Sequence, residues 1–202
     1  FANALVQQSV FRNTWRGVQF QESTVELRGN SFQENTSAIQ ARDSEIIFRD
    51  NQVLDNVFGA NFFRAHLAIE DNRFGGNRDF GLKIREGYPT VTRNIFDHNR
   101  FGLMFSDTTY GSVSGNIMLA NAEAGMSVRT GTNMEVRGNF VQGNGLSGMA
   151  LRDAAAVISN KADAPGLQTA AAHGVPTEVL EHRPFPDRAG FDAALAARID
   201  AY

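Results

Sequence analysis

The chain has 202 residues, 19 basic and 22 acidic side chains, a net charge of -3 and no cysteine. The near balance of charge argues against a nonspecific nucleic-acid binder, which carries a basic excess. The lack of cysteine excludes disulfides, thiolate metal sites and cysteine nucleophiles, and no apolar run reaches bilayer-spanning length.

From the N-terminus onward, an Asn-x-apolar-x-x-Asn signature recurs every 21 to 23 residues. Gln8/Asn13 reads as a degenerate first member. Asn30/Asn35, Asn51/Asn56, Asn72/Asn77, Asn94/Asn99, Asn116/Asn121 and Asn139/Asn144 follow, and Asn160 opens a last one. A period of this length signals stacked repeats. Each repeat predicts three short strands. The first follows a small residue (Gly17, Ala38, Gly59, Gly81, Gly102, Gly125, Gly148) and alternates strictly, from Val18/Phe20 to Met149/Leu151. That is the period-two pattern of a half-buried strand. The second alternates from Val25/Leu27 to Ala155/Val157. The third centres on one inward residue: Val10, Phe32, Val53, Phe74, Phe96, Met118, Val141.

Three such strands cannot close a core alone, but stacked coil on coil they can. The predicted fold is all-β, a parallel solenoid over residues 1–160 with about seven to eight coils, roughly 35 Å long at about 4.8 Å per coil. Asn suits the turns, since it tolerates left-handed backbone and its stacked amides can bond along the rod. Met118, Met126, Met134 and Met149 fall at inward positions and read as core filling. Residues 161–202 break the pattern. Pro165, Pro176, Pro184 and Pro186 predict an irregular strap. Asp187 then caps a helix over Arg188–Tyr202, with Phe191, Leu195 and Ile199 as its apolar stripe. Such a tail is suited to covering a solenoid's open end.

The outward columns are where function is written. One reads Gln19, Gln40, Asn61, Lys83, Met104, Ser127, Ala150. The next reads Gln21, Arg42, Phe63, Arg85, Ser106, Arg129, Arg152, and the strand-end column Glu22, Asp43, Arg64, Glu86, Asp107, Thr130, Asp153. Arginines stacked in one column would repel, and the acidic column offsets them. One reading is a solvated salt-bridge lattice. The other is a groove offering amides, guanidiniums and carboxylates to a saccharide, with Phe63 and Met104 beneath a sugar face. Six residues before successive Asn stand His66, Tyr88 and Tyr110, which should stack on three consecutive coils. The candidate ligand-binding set is Arg42, Asn61, Phe63, Lys83, Arg85, Glu86, Tyr88, Asp107 and Tyr110. If the chain is an enzyme, His66, Lys83, Arg85 and Tyr88 could abstract a uronate C5 proton and neutralise its carboxylate.

The repeat, over about residues 4–160, resembles the right-handed parallel β-helix of the pectate-lyase-like superfamily. The resemblance implies an extracytoplasmic protein, periplasmic or secreted. The chain begins at Phe1, inside a repeat, and so reads as one piece of a larger protein or assembly. Lyases of that superfamily hold calcium with clustered acids, whereas Asp43, Glu86 and Asp107 lie on separate coils. Asp97-His98 lacks the proline of the Asp-Pro-His motif of alginate C5-epimerases. The paired aspartates and Gly-His-Gly of polygalacturonases are missing, and His173-Gly174 falls in the tail.

Three functions follow. The first is a non-catalytic recognition or scaffold module that binds a polysaccharide or protein along one face, with no cofactor. The second is a polysaccharide lyase or C5-epimerase on uronic-acid polymers; calcium enters only here. The third is a periplasmic accessory role in copper-site maturation, suggested by repeat style. His66, His98, His173 and His182 are too scattered to predict a metal site.

Overall fold

A computed structural model of the chain describes residues 2–107, 109–129, 132–151, 157–172 and 176–199. The chain divides into two compact units, residues 1–152 and 153–202. In the first, every strand is parallel to its neighbours, and each coil contributes one strand to each of three seven-stranded sheets. The first sheet runs from Arg16–Gln21 to Ser147–Leu151, the second from Ala2–Gln7 to Thr132–Arg137, and the third from Val10–Arg12 to Phe140–Gln142. Pairing is in register from coil to coil, for example Leu82 with Ala60 and Leu103, and Phe74 with Val53 and Phe96.

Like side chains therefore stack inside. Phe32, Val53, Phe74, Phe96 and Met118 are each fully buried in one inward column. The Phe74 and Phe96 rings stack at 5.0 Å and 6°. Met126 is also buried, while Met134 and Met149 pack against the core from partly exposed positions. Gly17, Gly59, Gly81, Gly102 and Gly125, near the start of their first-sheet strands, lie against the next coil's backbone. A Cβ on Gly102 would stand 2.5 Å from the Gly125 carbonyl oxygen.

Two asparagine ladders run the length of the rod. In one, Nδ2 of Asn30, Asn51, Asn72, Asn94 and Asn116 donates to Oδ1 of the next asparagine at 2.9–3.1 Å. Asn35, Asn56, Asn77, Asn99 and Asn121 do the same at 2.8–3.0 Å. Each amide also donates back to the preceding coil, as Asn72 Nδ2 does to the Phe48 carbonyl at 2.8 Å. The left-handed residue is not the asparagine itself but the one before it. Glu34, Asp50, Asp55, Asp71, Arg93, His98 and Ala120 all have φ between 49° and 58°, and Gly29, Gly76 and Gly115 share that place. The asparagine's task is to saturate the turn's buried backbone groups.

The first coil corrects the sequence register by one residue. Val10 pairs with Ser31 and Phe11 with Phe32. Phe11 is thus the inward member, stacked on Phe32 at 4.9 Å, and Val10 is 71 % exposed. The ladder positions are Ser9 and Thr14, whose backbone N–H groups donate to Asn30 and Asn35 Oδ1 at 3.0 Å. Gln8 and Asn13 occupy the left-handed turn column instead. A slip of one residue exchanges the two faces of a strand, so the inward and outward assignments swap together.

In the second unit, Val157–Ser159 pairs in parallel with Thr177–Val179. A strand is thus present at Val157, where the second alternation of a last repeat is expected, and Ala155 lies outside the described residues. A helix, Pro165–Ala172, stands in the stretch expected to be irregular. Proline is tolerated at a helix's first position, where its missing N–H has no partner to lose. The expected C-terminal helix covers Arg188–Ile199, and Asp187 Oδ1 accepts the Gly190 N–H at 2.8 Å as its cap. Phe191 and Leu195 are half-buried, and Tyr202 lies outside the described residues.

Candidate functional site

The outer face of the first sheet carries the predicted columns in register. Asn61 pairs with Gln40 and Lys83, and Met104 with Lys83 and Ser127. Beside them Phe63 stands between Arg42 and Arg85, and Ser106 beyond Arg85. Three guanidiniums surround the Phe63 ring: Arg64 at 4.6 Å, Arg85 at 4.9 Å and Arg42 at 5.3 Å from its centroid. Cations are drawn to the negative face of an aromatic ring. Phe63 thus organises arginines, and a sugar would have to displace them to rest on it. Met104 points outward yet is only 8 % exposed, so it offers little surface either. Arg152, Thr130 and Asp153 of these columns lie outside the described residues.

The charges on this face are unevenly matched. Arg64 holds Asp43 through two bonds of 2.6 and 3.0 Å, and Arg42 approaches the same carboxylate at 3.4 Å. Arg12, Arg73, Arg93 and Arg100 likewise pair with acids on neighbouring coils. Among the described residues, Lys83, Arg85 and Arg129 have no ion pair. Burial, and then Arg85, lowers the pKa of Lys83, whose Nζ lies over the Phe80 ring at 5.6 Å. Asn61 Oδ1 and Arg85 Nε are buried without hydrogen-bond partners.

Glu22, Asp43, Arg64, Glu86 and Asp107 form the corner between the first and second sheets, all left-handed. Past it, His66, Tyr88 and Tyr110 stack as expected, at 4.9 Å and 10° and then 6.0 Å and 21°. Tyr88 is 57 % and Tyr110 43 % exposed. Because the rings cover one another's faces, they offer their edges and hydroxyls to solvent. His66 and Tyr88 belong to the second sheet, Lys83 and Arg85 to the first. Among the described residues, no side-chain hydrogen bond or ion pair joins the two pairs. The sequence places them in adjoining columns; the structure puts the Glu86–Gly87 corner between them.

Asp97-His98 sits at the end of a third-sheet strand. Asp97 is 7 % exposed and accepts two bonds from Arg73 at 3.0 and 2.9 Å, with His98 Nδ1 at 3.0 Å from the same Oδ2 that Arg73 Nη2 meets. Arg73 first, and then His98, holds its pKa below the ordinary carboxylate value against the opposing effect of burial. A depressed carboxylate contributes stability above its unfolded pKa, and that contribution fades as pH falls through the folded value. Asp97→Asn should therefore cost about 1 kcal/mol at neutral pH, a modest sum because Arg73 is half exposed. The gap to wild type should close in acid below the carboxylate range. Urea denaturation at both pH values checks this, and a gap independent of pH would show that shape rather than charge matters at Asp97. Among the described residues no group of three His, Cys, Asp or Glu side chains gathers as a metal site. Among the described residues no helix is long and apolar enough to cross a membrane.

Sequence reasoning allowed a salt-bridge lattice on this face, which Arg64 and Asp43 form in part, but missed its pairing within single columns. Its signal was present, since Arg64 lies one coil after Asp43 in the same column, and Arg93 one coil after Asp71. Comparison with known proteins agrees with the architecture. No curated protein and no solved structure matches the chain. The profile of the family described as right handed beta helix region matches residues 62–172, more than half of the chain. The protein belongs to the right-handed β-helix family.

Proposed function

We propose that this protein is a non-catalytic recognition module that binds an acidic polysaccharide along the outer face of the first sheet. The observation that carries the reading is that Lys83, Arg85 and Arg129, on one sheet face, have no ion pair among the described residues, while most arginines of the other coils do. Glycan carboxylates would supply the missing counter-charge, and charge-assisted bonds to guanidinium are among the stronger polar contacts. An extracytoplasmic setting accords with such a ligand. Calorimetric titration with polygalacturonate should show binding that weakens with added salt, and a neutral dextran should not bind. The double substitution Arg85→Gln/Arg129→Gln should weaken binding by about tenfold or more, near 1.4 kcal/mol. Unchanged affinity in that variant would remove this face from consideration.

A second reading, a uronate lyase or epimerase, has one observation in its favour. Lys83 has a lowered pKa and stands two residues from a guanidinium able to neutralise a substrate carboxylate. Those are the qualities of a general base beside an electrostatic clamp. Growth of unsaturated-uronate absorbance on incubation with polygalacturonate, abolished in Lys83→Met, would establish the lyase. Proton exchange at C5 without that absorbance would establish the epimerase.

A further inference from the structure

The column through Arg42 has a periodicity of its own. Arg42 pairs with Phe63, Phe63 with Arg85, and Arg85 with Ser106. Phe105 pairs with Val128, which sets Ser106 beside Arg129. From Arg42 to Arg129, arginine therefore recurs on every second coil, and the intervening members, Phe63 and Ser106, are uncharged; Arg152, the next member in the sequence, lies outside the described residues. Arginines on successive coils would repel one another; alternation relieves this for Arg42, Arg85 and Arg129. With coils about 4.8 Å apart, the backbone positions that carry these arginines repeat at about 10 Å. The Phe63 ring stands in the first interval, with Arg42 and Arg85 at 5.3 and 4.9 Å from its centroid and Arg64, already paired with Asp43, at 4.6 Å.

A ligand that matches this column must present negative charge in the same long step. An acidic peptide in extended form repeats its side chains on one face about every 6.8 Å and falls out of step. A chain with a charge on every ring, all on one side, would leave alternate charges without a partner. We infer that the column is a two-coil ruler for an extended polysaccharide that turns one carboxylate per disaccharide toward the sheet. An extended disaccharide is close to two coils long. This inference rests on the acidic-glycan reading above and adds a spacing to it.

The test is calorimetry of the intact protein with hyaluronan oligosaccharides, in which a uronate alternates with a neutral amino sugar. The tetrasaccharide has two carboxylates and the hexasaccharide three, enough to meet Arg42, Arg85 and Arg129 together. The hexasaccharide should bind about tenfold more tightly than the tetrasaccharide, and the octasaccharide little better than the hexasaccharide. Arg129→Gln should lower the hexasaccharide to the tetrasaccharide's affinity, while the tetrasaccharide, which keeps one of its two registers on Arg42 and Arg85, should lose only about twofold. Equal binding of tetra- and hexasaccharide, or a steady gain at every length, would overturn the ruler while leaving acidic-glycan recognition standing. Failure of both hyaluronan and polygalacturonate to bind would overturn both.

Discussion

Asn72→Ala should lower the unfolding free energy by about 3–5 kcal/mol, taking about 1–3 kcal/mol for each buried polar group left unmet. Asn72 is 2 % exposed, and its Nδ2 donates to the carbonyls of Phe48 and Glu70 and to Asn94 Oδ1 at 2.8–2.9 Å. Its Oδ1 accepts the Asn51 backbone N–H at 2.8 Å and Asn51 Nδ2 at 3.1 Å. Alanine fills none of these roles, and at 2 % exposure water does not readily replace them. Asn72→Asp should be worse, since a carboxylate would face three acceptors in a buried turn. The loss falls between coils, where a solenoid's cohesion is a sum of nearest-neighbour contacts. A partly folded form with one half of the rod intact is therefore expected at intermediate urea. Circular dichroism against urea measures both. A shift no larger than that of Asn133→Ala, at an exposed position, would show that the ladder is decoration rather than structure.

Phe74→Ala should cost a similar amount, about 3–5 kcal/mol, for a different reason. Phe74 is fully buried, stacked on Phe96 at 5.0 Å and tilted against Phe48 at 5.9 Å. Removing the ring opens a cavity that the neighbouring coils cannot collapse to fill, because their backbones are tied by ladder hydrogen bonds on all three sheets. Phe74→Leu keeps most of the volume and should cost only about 1–2 kcal/mol. Thermal or urea unfolding of the two variants tests the contrast. Equal losses would mean that the aromatic stack itself, not the filled volume, is what the site requires.

The repeat was legible because the asparagines do a task no other side chain does as well. They bond backbone on two coils at once, so every turn that needs this keeps the residue. The register failed only where the marker was absent. Ser9 and Thr14 stand in for asparagine in the first coil, and Asn13 next door drew the alignment one residue astray. The left-handed column was legible too, in Gly29, Gly76, Gly115, Gly138 and Gly143, but the conspicuous asparagines beside it took the credit. The helix Pro165–Ala172 was hidden because its opening Pro165-Gly166 looks like a break in the chain. At the candidate site, the columns themselves were correct, including the His66–Tyr88–Tyr110 stack. What the columns could not say was how each side chain turns on its neighbours. Phe63 read as a sugar platform because no sequence pattern tells that Arg42, Arg64 and Arg85 close around it. Met104 read as exposed because alternation gives a direction and not an accessibility.

Strict register between coils makes length a modular quantity in this molecule. Phe58 and Phe80 hold equivalent places on successive coils, so excision of residues 59–80 would join matching backbone positions and regenerate the same rod one coil shorter. Duplication of that segment would lengthen it in the same way. Unequal recombination at the genetic level thus has a ready target here, with little cost to the core. It would not be neutral for charge: the excision brings Arg42 and Arg85 onto adjoining coils, and the duplication moves them further apart. A lineage could retune the interval between cationic marks by whole coils, leaving every turn and every layer of the interior as it was.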